Sequence, residues 1–429
     1  MDAKLYVSHV GGSIAAPPSK SAAHRAVLSA ALATGTSHID NIEYSDDIRA
    51  TIDAVSQLGA KITREEHSLT VQGCGEGFAT VTRPVFCKES GSTLRFLIPV
   101  FSLTAQKIRF TGAPRLFARP QEIYRALFEK QHLRFEQGPE GITIFGRLLP
   151  GIFTLPGDVS SQFISGLLFA APLLESDSTI QVLPPFESKS YVGLTIDALA
   201  RFGVRVEETA GPEGKTLFKV AAPQCYRACD LAVEGDYSQA AFPAVLGSLT
   251  GGVAVTGLRP DSRQGDKVIL DILRRCGAKF SADAGGTLHF ERSLLRAVEI
   301  DLADCPDLGP VLIAMACFCS GKTVIRNAGR LRIKESDRIE AMRAELAKMG
   351  GRVEADGDTV TVEGCALHAP EEPLDGHNDH RIVMSLAVAA LGAGLPATIR
   401  GAQAVAKSWP GFFDAIQKLG AKVELSDGT

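Results

Sequence analysis

Leu58-Gly59-Ala60-Lys61 closes one helical run and opens a strand, and the chain repeats that junction along its length. It returns as Phe202-Gly203-Val204-Arg205, Cys276-Gly277-Ala278-Lys279, Met349-Gly350-Gly351-Arg352 and Leu419-Gly420-Ala421-Lys422. A degraded copy is Gln131-His132-Leu133-Arg134. Residues 59, 132, 203, 277, 350 and 420 mark intervals of 73, 71, 74, 73 and 70, so six units take up nearly all 429 residues. A period this regular announces a repeat architecture before any single residue is read.

Outward from Gly59 the unit can be spelled out. Ser21 to Ala33 is rich in Ala and Leu and predicts a helix that stops near Gly35. Ser37 to Ile42 predicts a strand. Asp46 to Leu58 predicts a second helix with Ile48, Ile52, Val55 and Leu58 along one face, capped by Gly59. Lys61–Thr63 and Ser68–Val71 then predict a hairpin, and with a short strand in front the unit is βαβαββ. The fifth unit matches: helix Leu308–Cys319, strand Thr323–Arg326, second helix Lys334–Met349, and hairpin Arg352–Glu354 with Thr359–Val362. The sixth runs out after Lys422-Val423-Glu424-Leu425, and Lys4–His9 at the other end is available as its missing strand. The expected fold is therefore α/β: three βαβαββ repeats in each half, closed by a swap of the N-terminal segment. The domains are residues 19–231, and 1–18 plus 232–429. A solenoid is the alternative, but its ends need capping units that the sequence lacks.

Composition excludes several classes. Apolar residues make up 45% and charged residues 22%, as in ordinary globular proteins. Lys plus Arg total 45 against 49 Asp plus Glu, a net charge of −4, which argues against a nucleic-acid binder. The apolar run Val311–Cys319 is too short to span a bilayer, and the N-terminus has no signal-peptide core. Nine cysteines without CxxC spacing predict a reduced, cytoplasmic compartment. Ser320-Gly321-Lys322-Thr323 follows a helix and precedes a strand, the reverse of a P-loop, and predicts a plain turn. There is no HExxH, no GxGxxG after a strand and no His/Asp/Glu cluster, so neither a metal site nor a dinucleotide site is expected.

Candidate chemistry gathers at helix starts. Pro18-Ser19-Lys20-Ser21 with Arg25, Ser90-Gly91-Ser92-Thr93 with Arg95, and Asp158-Val159-Ser160-Ser161-Gln162 open helices of the first half. Lys334-Glu335-Ser336-Asp337-Arg338 and Asn378-Asp379-His380-Arg381 open helices of the second. Unpaired N–H groups and the positive dipole end make such starts anion sites, and Lys or Arg adds charge and paired donors. One such site is an ordinary N-cap beside a solvated cation. Five at matching points of a repeat predict a cleft that gathers a small polyanion.

These motifs resemble one family, the 5-enolpyruvylshikimate-3-phosphate synthases, over essentially the whole chain. The resemblance is carried by Ser19-Lys20-Ser21 with Arg25, Gly91-Ser92 with Arg95, Pro114-Arg115 with Arg119-Pro120, and Gly157 through Phe163. Glu234-Gly235-Asp236, Pro306-Asp307, Arg332 through Arg338, Asn378 through Arg381, and Lys407-Ser408-Trp409-Pro410 continue it. It implies a cytoplasmic transferase of the shikimate pathway, which leads through chorismate to the aromatic amino acids. Its substrates are shikimate-3-phosphate and phosphoenolpyruvate, with no nucleic acid or membrane as partner, and a monomer is expected. The resemblance further implies two inside-out, barrel-like α/β domains, joined by a hinge, that close on the substrates without cofactor or metal.

By the same resemblance Ser160, Ser161 and Ser188, assisted by Lys334, hold the shikimate phosphate, and Ser21, Arg25 and Tyr191 place its ring and carboxylate. Lys20, Gly91, Arg119, Gln162, Arg338, Arg381 and Lys407 surround phosphoenolpyruvate, the site that glyphosate occupies in this family. Adding an alcohol across an enol ether needs a base for the hydroxyl, an acid for the methylene and cations against developing charge. Asp307 is the expected base and Glu335 the expected acid, with Lys20 as an alternative proton carrier. His380 is expected to hold Glu335 or the departing phosphate. A plain reading makes Asp307 an N-cap and Glu335 an exposed first-turn carboxylate. Glu89-Ser90, Phe96 and Arg330 stand where familiar members carry Asn-Ala, proline and asparagine. The related UDP-N-acetylglucosamine enolpyruvyl transferases carry a cysteine at the position of Pro114, and residues 105–125 contain none.

Overall fold

The computed structural model describes residues 1–75 and 77–427. Glu76, Gly428 and Thr429, the last two inside the expected 232–429 segment, lie outside the described residues. The chain folds into two compact units, Lys20–Val233, and Met1–Ser19 with Glu234–Thr429.

In the Lys20–Val233 unit the helices are α1 (Lys20–Leu32), α2 (Asp46–Ser56), α3 (Gly91–Ser102), α4 (Pro114–Ala118), α5 (Glu122–Lys130), α6 (Ser161–Ala170) and α7 (Lys189–Arg201). The other unit holds α8 (Tyr237–Thr250), α9 (Ile269–Arg275), α10 (Gly309–Ala316), α11 (Arg338–Ala347), α12 (His380–Gly392) and α13 (Phe412–Lys418).

Each unit carries three four-stranded sheets with one pattern, two parallel strands beside an antiparallel pair. Val85–Phe86, Ile108–Thr111, Gly141–Phe145 and Arg134–Gly138 form one of them. Strands such as Ser178–Leu183 alternate buried and half-buried residues, so one face packs on the core and the other turns towards solvent. The helices behind them are apolar all round: α3, α8, α10 and α12 bury nearly every residue. A helix of that composition belongs in a core, so helices fill each unit and sheets cover them.

Tertiary pairing decides which strands complete two of the repeats. The strand in front of α1, Gly12–Ala15, does not complete the first repeat; it runs parallel to Val253–Thr256 within its own unit, Met1–Ser19 with Glu234–Thr429. The leading strand beside Thr36–Asp40 is instead Leu231–Ala232, some 200 residues away in sequence. In the sixth repeat the N-terminal segment supplies the missing strand as expected, with bounds Asp2–Tyr6 in place of Lys4–His9. It lies between Ala397–Arg400 and Lys422–Ser426 and pairs antiparallel with both. A short strand stabilises little by itself and goes wherever a sheet edge offers ladder partners.

The fifth repeat departs locally. Its second helix starts at Arg338, not Lys334, because the Asp337 carboxylate accepts the Glu340 N–H at 3.1 Å and caps it. Lys334, Glu335 and Ser336 therefore stand in the connection ahead of the helix. Gly321 has φ +99° just before the strand Lys322–Arg326, the plain turn expected there.

Candidate active site

In the Lys20–Val233 unit, α1, α2, α3, α6 and α7 set the groups. Lys20 opens α1 and its Nζ lies 2.7 Å from Asp47 Oδ2 on α2. Arg25, one turn later, is buried and spends its guanidinium on the protein. Nε donates to Thr195 Oγ1 at 2.8 Å, and the two terminal nitrogens donate to the carbonyls of Ser21 (2.6 Å) and Tyr191 (2.8 Å). It also sits over the Phe96 ring at 5.1 Å, and burial lowers its pKa to about 10. Arg95 donates to Gln162 Oε1 and to the Pro120 carbonyl, each at 2.9 Å, and stacks over Phe163 at 4.7 Å. Gln162 passes the order on, donating to Ser92 Oγ at 3.0 Å.

Glycine is required at two points here. A Cβ at Gly166 would stand 2.2 Å from the Tyr124 hydroxyl and 2.3 Å from the Arg95 carbonyl, so its absence lets α6 close on α3. A Cβ at Gly91 would meet the Arg119 guanidinium at 2.9 Å, which puts that cation against the bare backbone where α3 begins. Ser90 and Ser160 cap α3 and α6, accepting from Thr93 N–H and Gln162 N–H. Ser188 precedes α7 in a left-handed conformation, φ +52°, and its side chain does not cap that helix.

A buried hydroxyl chain ties three helices together beneath these groups. Thr93 Oγ1 donates to Ser90 Oγ at 2.7 Å, so Thr51 must donate to Thr93, and His24 Nδ1 must donate to Thr51 at 2.7 Å. Burial, reinforced by Lys20 and Arg25, holds His24 well below 6.5. The imidazole is neutral, and this donor arrangement places its one proton on Nδ1.

The other unit gathers charge around Asp307. Its Oδ1 accepts from Lys334 Nζ and from Arg338, each at 3.2 Å, and its Oδ2 accepts from Arg381 at 3.1 Å. Arg381 also donates to the Asp307 carbonyl at 2.9 Å and to Ser238 Oγ at 2.9 Å. Arg338 is buried and reaches two further carboxylates, Glu335 at 2.6 Å and Asp379 at 2.8 Å. Burial opposes its charge, but Asp379, Glu335 and Asp307 outweigh that and raise its pKa above the usual arginine value. At Asp379 burial favours the neutral acid; Arg338 overrides it, and the carboxyl stays below 3.8. Burial lowers Lys334 below 10.5 against the pull of Asp307. Lys407 is buried and donates to the Asn378 carbonyl.

Among the expected residues, the structure therefore brings together Asp307, Glu335, Lys334, Arg338 and Arg381. Asp307 is not the cap of α10, whose cap position is Leu308, and Glu335 is not exposed. His380 lies with Asp379, Nδ1 at 3.8 Å from Oδ1. Sequence reasoning missed Asp379, Ser238, Asp236 and Asp47. Asp379 and Asp236 stood inside quoted motifs, and both cap a helix and accept from a neighbouring side chain. Ser238 and Asp47 carried no such signal. Among the described residues no group of three or more His, Cys, Asp or Glu is placed to hold a metal ion. None of the described helices is long and apolar enough to cross a membrane.

A protein-family model described as EPSP synthase (3-phosphoshikimate 1-carboxyvinyltransferase) matches residues 6–416. The chain belongs to the EPSP synthase family. A 3-phosphoshikimate 1-carboxyvinyltransferase of Clostridium kluyveri is 42% identical over 421 residues, covering 96% of each chain. One from Clostridioides difficile is 38% identical over 432 residues, 98% of each. Among solved structures, the EPSP synthase of Acinetobacter baumannii superposes with a TM-score of 0.81 at 25% identity, over 99% of this chain and 100% of that one. The enolpyruvyl transferase NikO from Streptomyces tendae, at 19% identity and TM-score 0.80 over 99% of this chain and 98% of that one, shares the fold.

Proposed function

We propose that the groups around Asp307, and those around Arg25, Arg95 and Arg119, divide between them the work of the family's reaction. Membership assigns the chain that activity: it transfers the enolpyruvyl group of phosphoenolpyruvate to the 5-hydroxyl of shikimate-3-phosphate and releases phosphate. Asp307 takes the hydroxyl proton as the oxygen adds to the enol carbon, and Glu335 delivers a proton to the methylene, with Lys20 as an alternative carrier. Loss of that methyl proton and of phosphate from the adduct then leaves the enol ether.

Ser160, Ser161, Ser188 and Lys334 hold the shikimate phosphate. Arg25 orders Ser21 and Tyr191 for the shikimate ring, which agrees with its bonds to their two carbonyls. Lys20, Gly91, Arg119, Gln162, Arg338, Arg381 and Lys407 provide donors for phosphoenolpyruvate, and His380 steadies Glu335 or the leaving phosphate. Holding both substrates in reacting geometry supplies roughly 7–11 kcal/mol of the barrier reduction. The chain acts in the cytoplasm as a monomer, for which sedimentation should read the mass of one chain, 45.5 kDa.

The observation that carries these roles is Asp307 held between Lys334, Arg338 and Arg381, next to Glu335 on the same arginine. Mixing the protein with both substrates and following phosphate is the test. Release with shikimate-3-phosphate is expected; release only with UDP-N-acetylglucosamine would reassign the acceptor.

A further inference from the structure

Seven residues beyond Arg338, two turns along the same face of α11, stands Glu345, a carboxylate that is 3% exposed. It lies outside the cluster around Asp307, and the reaction gives it no part. Its oxygens accept from the Asp375 N–H at 2.8 Å, from Lys348 Nζ at 2.8 Å and lie 3.1 Å from His377 Nε2. Asp375 and His377 belong to the tight loop that leads into α12.

That loop is conformationally demanding. His377 and Asn378 are consecutive non-glycine residues at φ +49° and +50°. A Cβ at Gly376 would stand 2.5 Å from Val383 Cγ2 and 2.8 Å from the Arg400 carbonyl. Strain of this kind persists only where the surroundings over-determine the backbone. Here the Asp375 carboxylate accepts the His377 N–H at 2.7 Å, and Lys407 donates to the Asn378 carbonyl. The loop ends on Asp379, which accepts the Arg381 N–H at 2.9 Å and binds Arg338. One face of α11 thus grips the loop twice, through Arg338 at its far end and Glu345 at its near end.

We propose that Glu345 and His377 are positioning residues: their contact holds the Asp375–Asp379 loop so that Arg381 on α12 and Arg338 on α11 meet around Asp307 in one register. Lys348, the third partner, is part-exposed and reaches only the Pro373 carbonyl, at 3.5 Å, ahead of the loop, so it is not part of the clamp. The proposal rests on the enolpyruvyl-transfer reading of the Asp307 cluster.

The test is steady-state phosphate release with Glu345→Gln, His377→Gln, the double variant and Lys348→Met, together with the thermal midpoint of each. Glu345→Gln should lower kcat about tenfold and His377→Gln about threefold, with substrate KM values changing less. The double variant should be no worse than Glu345→Gln, because one contact is removed twice, and Lys348→Met should match the wild type. His377 is partly exposed, so its variant remains informative should the buried substitution fail to fold. Wild-type kcat and KM in a folded His377→Gln overturn the clamp. So does a loss that vanishes once rates are expressed per folded molecule. Wild-type protein that releases no phosphate overturns the functional reading as well; turnover with unchanged variants overturns this one alone.

Discussion

At Asp307 two carboxylate oxygens face three cations on three different segments, and the burden on this residue is correspondingly specific. Asp307→Asn keeps an accepting oxygen for Lys334 and Arg338, turns an N–H donor towards Arg381, and removes the base. Turnover should fall at least ~10²-fold while substrate affinity measured by calorimetry stays within a few-fold. Near-normal turnover would take Asp307 out of the reaction. Lys334 allows a second test, since burial lowers its pKa below 10.5. If its charge holds the shikimate phosphate, kcat/KM for that substrate falls on the alkaline side below the ordinary lysine value. Lys334→Arg stays charged there and should move that limb to higher pH, whatever its effect on the plateau. Superimposable alkaline limbs would show that another group sets it. Asp307 and Lys334 were both legible in the sequence because they sit in motifs. Asp379 was quoted and left without a role, since nothing in a one-dimensional pattern tells that Arg338, 41 residues upstream, comes to it.

Helices are the scale at which the hydroxyl chain acts: His24 on α1, Thr51 on α2 and Thr93 on α3 join in series. Folded His24 resists protonation, whereas the unfolded residue titrates near 6.5. The unfolded state therefore binds a proton that the folded state refuses as pH falls. Stability from this group is complete above 6.5 and declines below it, towards the depressed folded value. Between pH 7.5 and 5.5 the loss amounts to about 1.4 kcal/mol for one such histidine. Urea titrations should show it in the wild type and a shallower dependence in His24→Gln; parallel curves would mean that His24 accepts its proton when folded. Helix identity was readable from apolar content, and α3 and α6 appear where Ser90 and Ser160 promised caps. The start of α11 was misread by four residues. Lys334-Glu335-Ser336 has acceptable helical propensity, but the Asp337 cap wins because it satisfies an end N–H that propensity leaves unmet.

For the molecule entire, the chain ends matter most. Among the described strands Asp2–Tyr6 is the one ladder partner of Lys422–Ser426, and Leu5 is fully buried there. Leu5→Ala should cost about 2–5 kcal/mol. Hydrogen exchange should show protection lost first at Ala397–Arg400 and Lys422–Ser426, with the sheets of the Lys20–Val233 unit unaffected. Equal loss in both units would contradict a sheet-local role for this strand. The 70-odd-residue period, the alternation within strands and the all-apolar helices are local properties, so the amino-acid order by itself determined six α/β repeats and the helix starts that bear the cations. The sequence offered the N-terminal segment for the sixth sheet, but which strands complete the sheets beside Thr36–Asp40 and Val253–Thr256 was decided only in three dimensions. Gly12–Ala15 and Leu231–Ala232 are too short to prefer a partner, and hydrogen-bond completion at a sheet edge chooses for them. The same holds for the grouping of Asp307 with Arg338 and Arg381: charge pairing requires proximity, and residues 307, 338 and 381 acquire it only once α10, α11 and α12 have packed.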